Sequence, residues 1–403
     1  MFCHHHRNIR NRHREILSIA PIYDIILSGL EPGDSVRLAR TCKTAREAVN
    51  DFFSRGYNID KLLLRFFPDP NLFRRLQART ATLISGSSAL QFLDRVFYPD
   101  SDLDLYTPRR GAREVGKWIL SQGYSYCSTE QSPDFSESVD DLLEDEIPDD
   151  YVRGTSYKTT GIAGVYEFRK GPLVVQLIAA RRSPFHAITC FHSTVVMNFI
   201  TYEGAYSLYP RATFDDRIAA SNAAITDKEL RCLSKYRARG WAIVTDVTIL
   251  GSKSKDIFRA GEIRWVLDSH TWRIPLGELD LPVRKITQCS IALENDPSLA
   301  NSWKFDKEGK INNTTGAFIV SKLLKYHYMV GDSTLLRLIV RFLAKQGEMQ
   351  FRMLELEGLG CESAKDNELW AWWDGGVLNK YREYFDKLNR LPARTKPIYR
   401  GVR

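Results

Sequence analysis

Two aspartates spaced two residues apart, Asp102 and Asp104, are the side chains of this sequence whose type and spacing best suggest chemistry. They lie in an apolar run that predicts a β-strand, and residues two apart on a strand share a face. Carboxylates held side by side repel each other, and a divalent cation between them relieves that repulsion. The pair therefore predicts a cation site; the alternative is a buried strand whose aspartates cap turns.

A Gly-Ser turn precedes this pair. Gly86 and Ser87 follow the apolar segment 81–84, and the pattern predicts a helix from Ala89 to about Phe97. The first turn of a helix leaves backbone N–H groups free to meet an anion. An anion-binding turn beside a two-carboxylate cation site is the combination that handling a nucleoside triphosphate with magnesium requires.

The Gly-Ser turn, the helix and the Asp-x-Asp strand together resemble the signature of the nucleotidyltransferase fold of polymerase-beta-like enzymes. The resemblance implies an α/β (α+β) fold, a mixed sheet with helices. It also implies that Gly86 and Ser87 hold nucleotide phosphates, and that Asp102 and Asp104 bind Mg²⁺ with a third carboxylate on a later strand. The spacer between Ser87 and Asp102 is slightly longer than in that family.

The expected third metal ligand falls on a predicted β-hairpin that pairs residues 164–169 with 173–180. The residue there is Gln176, whose neutral amide offers an oxygen to a metal but no charge. Because phosphoryl transfer depends on metal ions that neutralise developing charge, this departure weakens the catalytic prediction. Glu167, on the partner strand, is the alternative third ligand. Nucleotide or metal binding survives either way.

Two arginines follow the second strand of that hairpin directly. Arg181 and Arg182 are expected to supply positive charge to the phosphates of a bound nucleotide. With them, the predicted nucleotide site consists of the Gly-Ser turn, the two aspartates and this Arg-Arg pair.

The N-terminal region has apolar residues at helical spacing, a break at Glu31–Asp34 and a second predicted helix over 36–53. This pattern resembles an F-box, whose short helices dock on the Skp1 subunit of a ubiquitin ligase. The alternative is a plain helical hairpin that covers the neighbouring domain. The positions that match the F-box pattern, and are expected to contact a Skp1-type subunit, are Pro21, Ile26, Leu27, Leu30 and Leu38.

The chain of 403 residues is long enough for two or three domains. From residue 316 the pattern is helical, with helices predicted over 318–328, 334–346 and 378–388. The predicted division is a basic disordered tail (1–15), F-box-like helices (16–56), a nucleotidyltransferase-like domain (57–223) with an acidic insertion (130–150), and a mainly helical C-terminal region (224–403).

The charge distribution and the cysteine usage indicate the kind of partner and the cellular compartment. The net charge is +8, although residues 130–150 contain ten acidic residues and no Lys or Arg. That segment predicts a largely disordered insertion, and the basic remainder predicts attraction to a nucleotide, RNA or an acidic partner. The 7 cysteines are scattered and no apolar run reaches membrane length. A reducing compartment, cytoplasmic or nuclear, and no membrane association are therefore expected.

Two functions follow as expectations. The first is an F-box-like interaction protein, a ubiquitin-ligase substrate adaptor, whose catalytically weakened nucleotidyltransferase-like domain binds nucleotide or metal. The alternative is an active Mg²⁺-dependent nucleotidyltransferase that transfers a nucleotide to RNA, protein or a small molecule. The combination of head and domain resembles a large group of fungal proteins, a resemblance that implies a fold and a domain order but no reaction.

Overall fold

A computed structural model of the protein describes residues 16–128, 134–144, 161–221, 227–279, 296–305, 316–356 and 371–390. The tail predicted over 1–15 lies outside the described residues. The described residues fold into a mixed α/β structure in which helices flank a large sheet. The predicted fold class is therefore confirmed.

Three short helices, rather than the two predicted, form the N-terminal head: α1 (Ala20–Ser28), α2 (Pro32–Ala39) and α3 (Lys43–Gly56). The prediction of one helix over 36–53 was wrong, because a short non-helical segment separates α2 from α3. Cys42 adopts an extended backbone there, and its Sγ accepts a hydrogen bond from the backbone N–H of Ala45 at 3.4 Å. A side chain that caps a helix start in this way satisfies a donor that the helix itself leaves unpaired.

The segment from residue 59 to residue 220 contains both helices and strands. In chain order they are α4 (Ile59–Leu63), α5 (Pro70–Thr80), β1 (Leu83–Ser85), α6 (Gly86–Asp94), β2 (Leu103–Pro108), α7 (Ala112–Ser121), β3 (Ser125–Tyr126), α8 (Phe135–Glu144), β4 (Ile162–Lys170), β5 (Leu173–Ala180), α9 (Pro184–Thr189), β6 (Asn198–Ile200), β7 (Gly204–Ser207) and β8 (Ile218–Ala220). The predicted strand–turn–helix–strand order around Gly86 is confirmed, with the helix beginning three residues earlier than predicted.

The C-terminal region adds further helices and short strand pairs. In chain order they are α10 (Asp227–Ala238), β9 (Ala242–Val244), α11 (Ser252–Phe258), β10 (Ile263–Trp265), β11 (Trp272–Pro275), β12 (Ser302–Lys304), β13 (Ala317–Ile319), β14 (Tyr328–Val330), α12 (Ser333–Leu356) and α13 (Asp374–Arg390). The helices predicted over 334–346 and 378–388 lie within α12 and α13. No helix among the described residues has both the length and the apolarity needed to cross a bilayer.

The helix predicted over 318–328 was wrong, because β13 and β14 pair there as antiparallel strands. The segment before β14 is fixed by the buried carboxylate of Asp374. That carboxylate accepts the backbone N–H groups of Lys325 and Tyr326 at 3.0 and 3.1 Å and the hydroxyl of Tyr328 at 2.6 Å. These tertiary hydrogen bonds replace the ones a helix would have made within itself.

The central sheet has eight strands in the order β11-β7-β6-β1-β2-β5-β4-β3. β1 is antiparallel to β2, β2 is parallel to β5, and β5 is antiparallel to β4. The predicted hairpin of β4 and β5 is confirmed, and its turn passes through Gly171 at a φ of +56°. The neighbouring strands β2 and β5 therefore start at the same edge of the sheet.

The two faces of β2 and β5 differ in character. On one face, Leu103 and Leu105 of β2 join Val175 and Leu177 of β5 in an apolar core that also includes residues of α7 and α8. On the other face, the later parts of the same strands pack into a second core. Asp104 and Gln176 also lie on that second face, before the buried Tyr106 and Ile178, and both are half-buried.

The acidic insertion contains an ordered helix, so the prediction of a largely disordered segment was wrong for residues 135–144. Phe135 and Val139 of α8 are buried on the first face of the sheet, and Gly116 of α7 leaves the space that the Phe135 ring fills. Residues four apart lie on one side of a helix, which explains how an acidic helix can still dock through an apolar stripe. Residues 129–133 and 145–160 lie outside the described residues.

The C-terminal region contributes a strand to the central sheet. β11 forms its edge and is antiparallel to β7. Trp272 at the start of β11 makes edge-on ring contacts with Phe53 of α3, with Tyr57 and with Phe214. The head, the sheet and the C-terminal region are thus joined around one tryptophan.

Candidate functional site

The two aspartates belong to a row of polar residues that crosses four strands. Asp104 lies opposite Ser85 of β1 on one side and opposite Gln176 of β5 on the other. Gln176 in turn lies opposite Glu167 of β4. Residues paired across neighbouring strands point to the same face, about 4.8 Å apart from strand to strand. Asp102, two residues before Asp104, shares that face.

The Gly-Ser turn lies directly against Asp104. Gly86 has a φ of +65°, a conformation that glycine adopts without strain. A Cβ at this position would lie 2.1 Å from Oδ2 of Asp104, so the carboxylate occupies the space that any other side chain would need. The sheet thereby brings the start of α6 and the carboxylate of Asp104 into contact.

Hydrogen bonds from α6 hold the chain between α6 and β2 in place. Ser88 donates its hydroxyl to the carbonyl of Asp102 at 2.6 Å. Gln91 donates its amide to the hydroxyl of Ser101 at 2.8 Å and accepts the backbone N–H of Tyr98 at 3.0 Å. Because these donors and acceptors are buried, the position of Asp102 is set by α6 rather than by its own loop.

The carboxylates are electrostatically strained. Burial, together with repulsion from Asp102, raises the pKa of Asp104 to about 7. Burial also raises the pKa of Asp102, and the negative charge of Glu167 raises it further. As a residue, Asp104 is half-buried rather than fully buried. A bound cation would relieve this strain.

Two residues of α10, Lys235 and Tyr236, complete the surroundings of the Gly-Ser turn and were missed by sequence reasoning. The Nζ of Lys235 lies 3.4 Å from the hydroxyl of Ser87, and the hydroxyl of Tyr236 lies 3.2 Å from the same oxygen. The charge of Lys235 partly offsets the rise in the pKa of both Asp102 and Asp104. The only signal in the sequence was the basic character of this helix, far along the chain.

The donor set beside Asp102 and Asp104 suits a hydrated cation better than a structural metal. Among the described residues, no group of three or more His, Cys, Asp or Glu side chains could hold a metal ion. Gln176 adds a neutral amide, and Glu167 is paired with Arg169 at 2.7 Å. Magnesium is commonly held by one or two carboxylates, with water and substrate phosphates completing its shell. The residues present fit that arrangement.

The structure does not bring Arg181 and Arg182 to this site. They follow the end of β5, whereas Gln176 is the fourth of its eight residues. At about 3.3 Å per residue, Ala180 alone is already about 13 Å from Gln176 along the strand. Since β2 and β5 are parallel, the two arginines lie beyond the opposite edge of the sheet from Asp104.

The five predicted docking residues of the head are placed differently from one another. Pro21 is exposed, and Ile26 is 38% exposed. Leu27 is fully buried in the head's own core, and Leu30 and Leu38 are partly buried against it. Leu27 therefore holds the head together rather than facing a partner.

Comparison of the chain with protein-family models, with curated proteins and with solved structures gave no match. The geometry of the described residues is therefore the basis for a functional proposal.

Proposed function

We propose that this protein is an F-box-like interaction protein, a substrate adaptor of a ubiquitin ligase, whose nucleotidyltransferase-like domain binds a nucleotide with its divalent cation but transfers it weakly or not at all. Gly86 and Ser87 bind the phosphates, and Asp102 and Asp104 bind the cation. The observation that carries the proposal is Gln176, a neutral residue directly opposite Asp104. The site keeps two negative ligands and lacks a third on the neighbouring strand.

The adaptor part of the proposal rests on the outer surface of α1. The helix buries Tyr23 and Leu27 against α3 and leaves a set of isoleucines partly exposed. The exposed isoleucines on and just before α1 are Ile16, Ile19, Ile22, Ile25 and Ile26, with Ile25 at 75%. A contiguous apolar surface of this kind is typical of a protein interaction site. A Skp1-type subunit is the partner that the F-box resemblance names.

The test of this part is a pull-down with a purified Skp1-type subunit. Ile25→Asp should abolish binding, because it places a charge in the centre of an apolar interface while touching no core residue. Leu64→Asp is the matched control, since Leu64 is an exposed leucine (58%) outside the head, and it should bind like the wild type. Failure of the wild-type protein to bind would overturn the adaptor proposal.

The binding part rests on the contact between Gly86 and Asp104 and on the position of Lys235. A bound magnesium ion would neutralise phosphate charge and the charge of the two aspartates. Lys235, beside Ser87, is well placed to pair with the outer phosphates, and the N–H groups at the start of α6 face the same region. The magnesium ion, Lys235 and the start of α6 would thus surround a triphosphate.

The test of this part is a calorimetric titration with Mg²⁺ and each of ATP, GTP, CTP and UTP. Lys235→Ala should weaken binding about tenfold, as expected for the loss of one charged hydrogen bond. Arg181→Ala, at the far edge of the sheet, should have no effect. No binding of any of the four nucleotides by the wild type would refute the proposal.

An active nucleotidyltransferase is the second candidate, and Glu167 favours it. Its negative charge raises the pKa of Asp102, and it lies directly opposite Gln176 on the neighbouring strand β4. If Glu167 leaves Arg169 and joins the cation, the site regains a third negative ligand. Incubation with labelled nucleotides, Mg²⁺ and RNA or protein acceptors should then give transfer that Asp102→Asn with Asp104→Asn abolishes. Absence of transfer by the wild type would leave the binding proposal alone.

A further inference from the structure

The loop that joins α6 to β2 carries a largely exposed aromatic ring. Phe97 is 69% exposed, and Val96 before it is 40% exposed. The loop itself is held in place, because the backbone N–H of Tyr98 donates to Gln91 at 3.0 Å and the guanidinium of Arg65 donates to the carbonyl of Tyr98 at 3.1 Å. A ring on an ordered loop can stack on a ligand at little cost in conformational freedom.

Two arginines lie over the rings of this loop. The guanidinium of Arg65 is 5.3 Å from the centre of the Phe97 ring. The guanidinium of Arg239, which directly follows α10, is 3.5 Å from the centre of the Tyr98 ring. Contacts of this kind are attractive and orient the guanidinium. Arg239 therefore joins the end of α10 to the loop.

One side of α10 presents a row of positive charges. Arg231, Lys235 and Arg239 are spaced four residues apart, so they follow one side of the helix and its end. Arg231 and Lys235 are exposed, and Arg239 is half-buried. Residues 230–238, the part of α10 whose side chains the structure describes, include no acidic residue. At 1.5 Å per residue, the row extends over about 12 Å.

The length of this row suits the backbone of a nucleic acid strand. A stacked strand carries one phosphate per about 3.4 Å, so the row would face three or four phosphates. Asp100 and Asp102, at the end of the α6–β2 loop, would repel phosphates. A bound strand would therefore place its backbone along α10 and turn its bases towards Phe97. Aromatic side chains stack on every kind of unpaired base.

We propose that the α6–β2 loop and α10 together form a binding surface for single-stranded nucleic acid. The row of Arg231, Lys235 and Arg239 pairs with the phosphates, and Phe97 stacks on an unpaired base. The surface shares Lys235 with the proposed nucleotide site but needs neither the cation nor the nucleotide. It gives the nucleotidyltransferase-like domain a partner in addition to the nucleotide.

The test of the stacking contact is fluorescence anisotropy of the whole protein with labelled strands of about 12 uridines or about 12 thymidines, without Mg²⁺ or free nucleotide. The wild type should bind in the micromolar range at low salt. Phe97→Ala should weaken binding about tenfold, as expected for the loss of one stacked base. Phe351→Ala is the matched control, because Phe351 is an exposed phenylalanine (39%) of α12, and it should bind like the wild type. Binding of either strand satisfies the proposal, and the tighter of the two identifies the sugar that the surface prefers.

The salt dependence of binding tests the charged row. Arg231→Gln should reduce the steepness of log affinity against log salt by about 0.7, the amount expected for one phosphate contact with a single strand. Arg352→Gln removes an exposed arginine of α12 and should leave the steepness unchanged. Thermal melting of each variant verifies that the fold is retained.

The proposal fails if the wild type binds neither strand at concentrations up to about 100 μM, or if a duplex of the same length competes as well as the single strand. Unchanged binding by Phe97→Ala would also overturn it. Equal losses from Arg231→Gln and Arg352→Gln would do the same, since binding would then reflect general positive charge. Each of these failures leaves the nucleotide proposal standing, because the titrations contain no Mg²⁺ and no nucleotide.

Discussion

Gly86 shows how one residue without a side chain decides the geometry of the proposed nucleotide site. We expect Gly86→Ala to destabilise the protein by about 3 kcal/mol, because it combines a left-handed backbone with overlap on Asp104. Gly171→Ala is the matched control: its φ of +56° is similar, but nothing lies within 4 Å of the added carbon. It should cost about 1 kcal/mol. Urea unfolding measures both, and equal losses would show that the Asp104 contact is not tight.

The raised pKa of Asp104 has a consequence for stability. A carboxyl with a pKa of about 7 when folded and about 3.9 when unfolded holds its proton more tightly in the folded state. Its contribution to stability is therefore fully present below about pH 4 and is lost as the pH rises to about 7. Without divalent cations, we expect the loss between pH 5 and pH 8 to be on the order of 3 kcal/mol.

Asp104→Asn tests this, because an amide does not titrate. The variant should lack this part of the fall in unfolding free energy from pH 5 to pH 8, measured with a chelator present. Asp100→Asn, at an exposed position in the preceding loop, should retain the wild-type pH dependence. Identical pH profiles for Asp104→Asn and the wild type would mean that Asp104 is ionised throughout.

The predicted carboxylate pair and the Gly-Ser turn came from spacing within about twenty residues, and strand periodicity was enough to place them on one face. Lys235 and Tyr236 could not be found in this way. Each meets Ser87 across nearly 150 positions of sequence. The misplacement of Arg181 and Arg182 had a different cause. They follow β5, which is parallel to β2, and therefore lie at the edge of the sheet opposite to Asp104. The direction of β5 relative to β2 would have shown that they do not reach the site.

β5 carries the residue that most directly controls the charge of the site. We expect Gln176→Asp to strengthen Mg²⁺ binding about tenfold, because it adds a negative ligand opposite Asp104. Gln176→Asn introduces a side chain of the same shape as Asp but without its charge, and it should bind Mg²⁺ like the wild type or more weakly. Calorimetric Mg²⁺ titration with a bound nucleotide decides between them. Equal affinities of the two variants would place the cation elsewhere.

Some helices and strands could be predicted from the local sequence pattern, and others could not. The hairpin of β4 and β5 followed from alternation and a glycine turn. The acidic helix α8 did not, because its low apolar content suggested disorder, whereas Phe135 and Val139, with Leu142 and Leu143 beside them, pack it against the core. Residues 318–328 were mistaken for a helix because the backbone just before β14 is fixed by Asp374, a residue far along the chain. In each case a tertiary contact outweighed the local pattern.

The attachment of the head to the sheet domain relies on a few charged contacts. Arg217 pairs with Asp94 at the end of α6 at 2.8 Å, and the side chain of Asp94 is only 4% exposed. Arg217 also reaches Glu31 at 3.4 Å. Nearby, Arg95 donates to the carbonyls of Leu27 and Leu30 at 3.2 and 2.8 Å. The helix that begins at the Gly-Ser turn thus ends at the contact with the head.

Arg217→Ala should cost about 3 kcal/mol of stability, because it leaves the buried Asp94 without its partner. Hydrogen exchange in α1 and α2 should rise with it, since the head loses an anchor. Arg37→Ala is the control: Arg37 also joins the head to the body, through Asp215, but its side chain is 49% exposed. It should cost less than about 1 kcal/mol. Similar losses for both variants would show that Asp94 is not dependent on Arg217.

The position of β11 at the edge of the sheet has a consequence for folding during synthesis on the ribosome. β7 obtains its outer partner only when residues 272–275 have left the ribosome, well after the rest of the sheet has been synthesised. At about 5–20 residues per second, β7 stays an unpaired edge for several seconds or more. Nascent chains in that interval carry an open strand and lack Trp272, so they are the species that chaperones must protect. A fragment ending at residue 223 would remain in that state permanently.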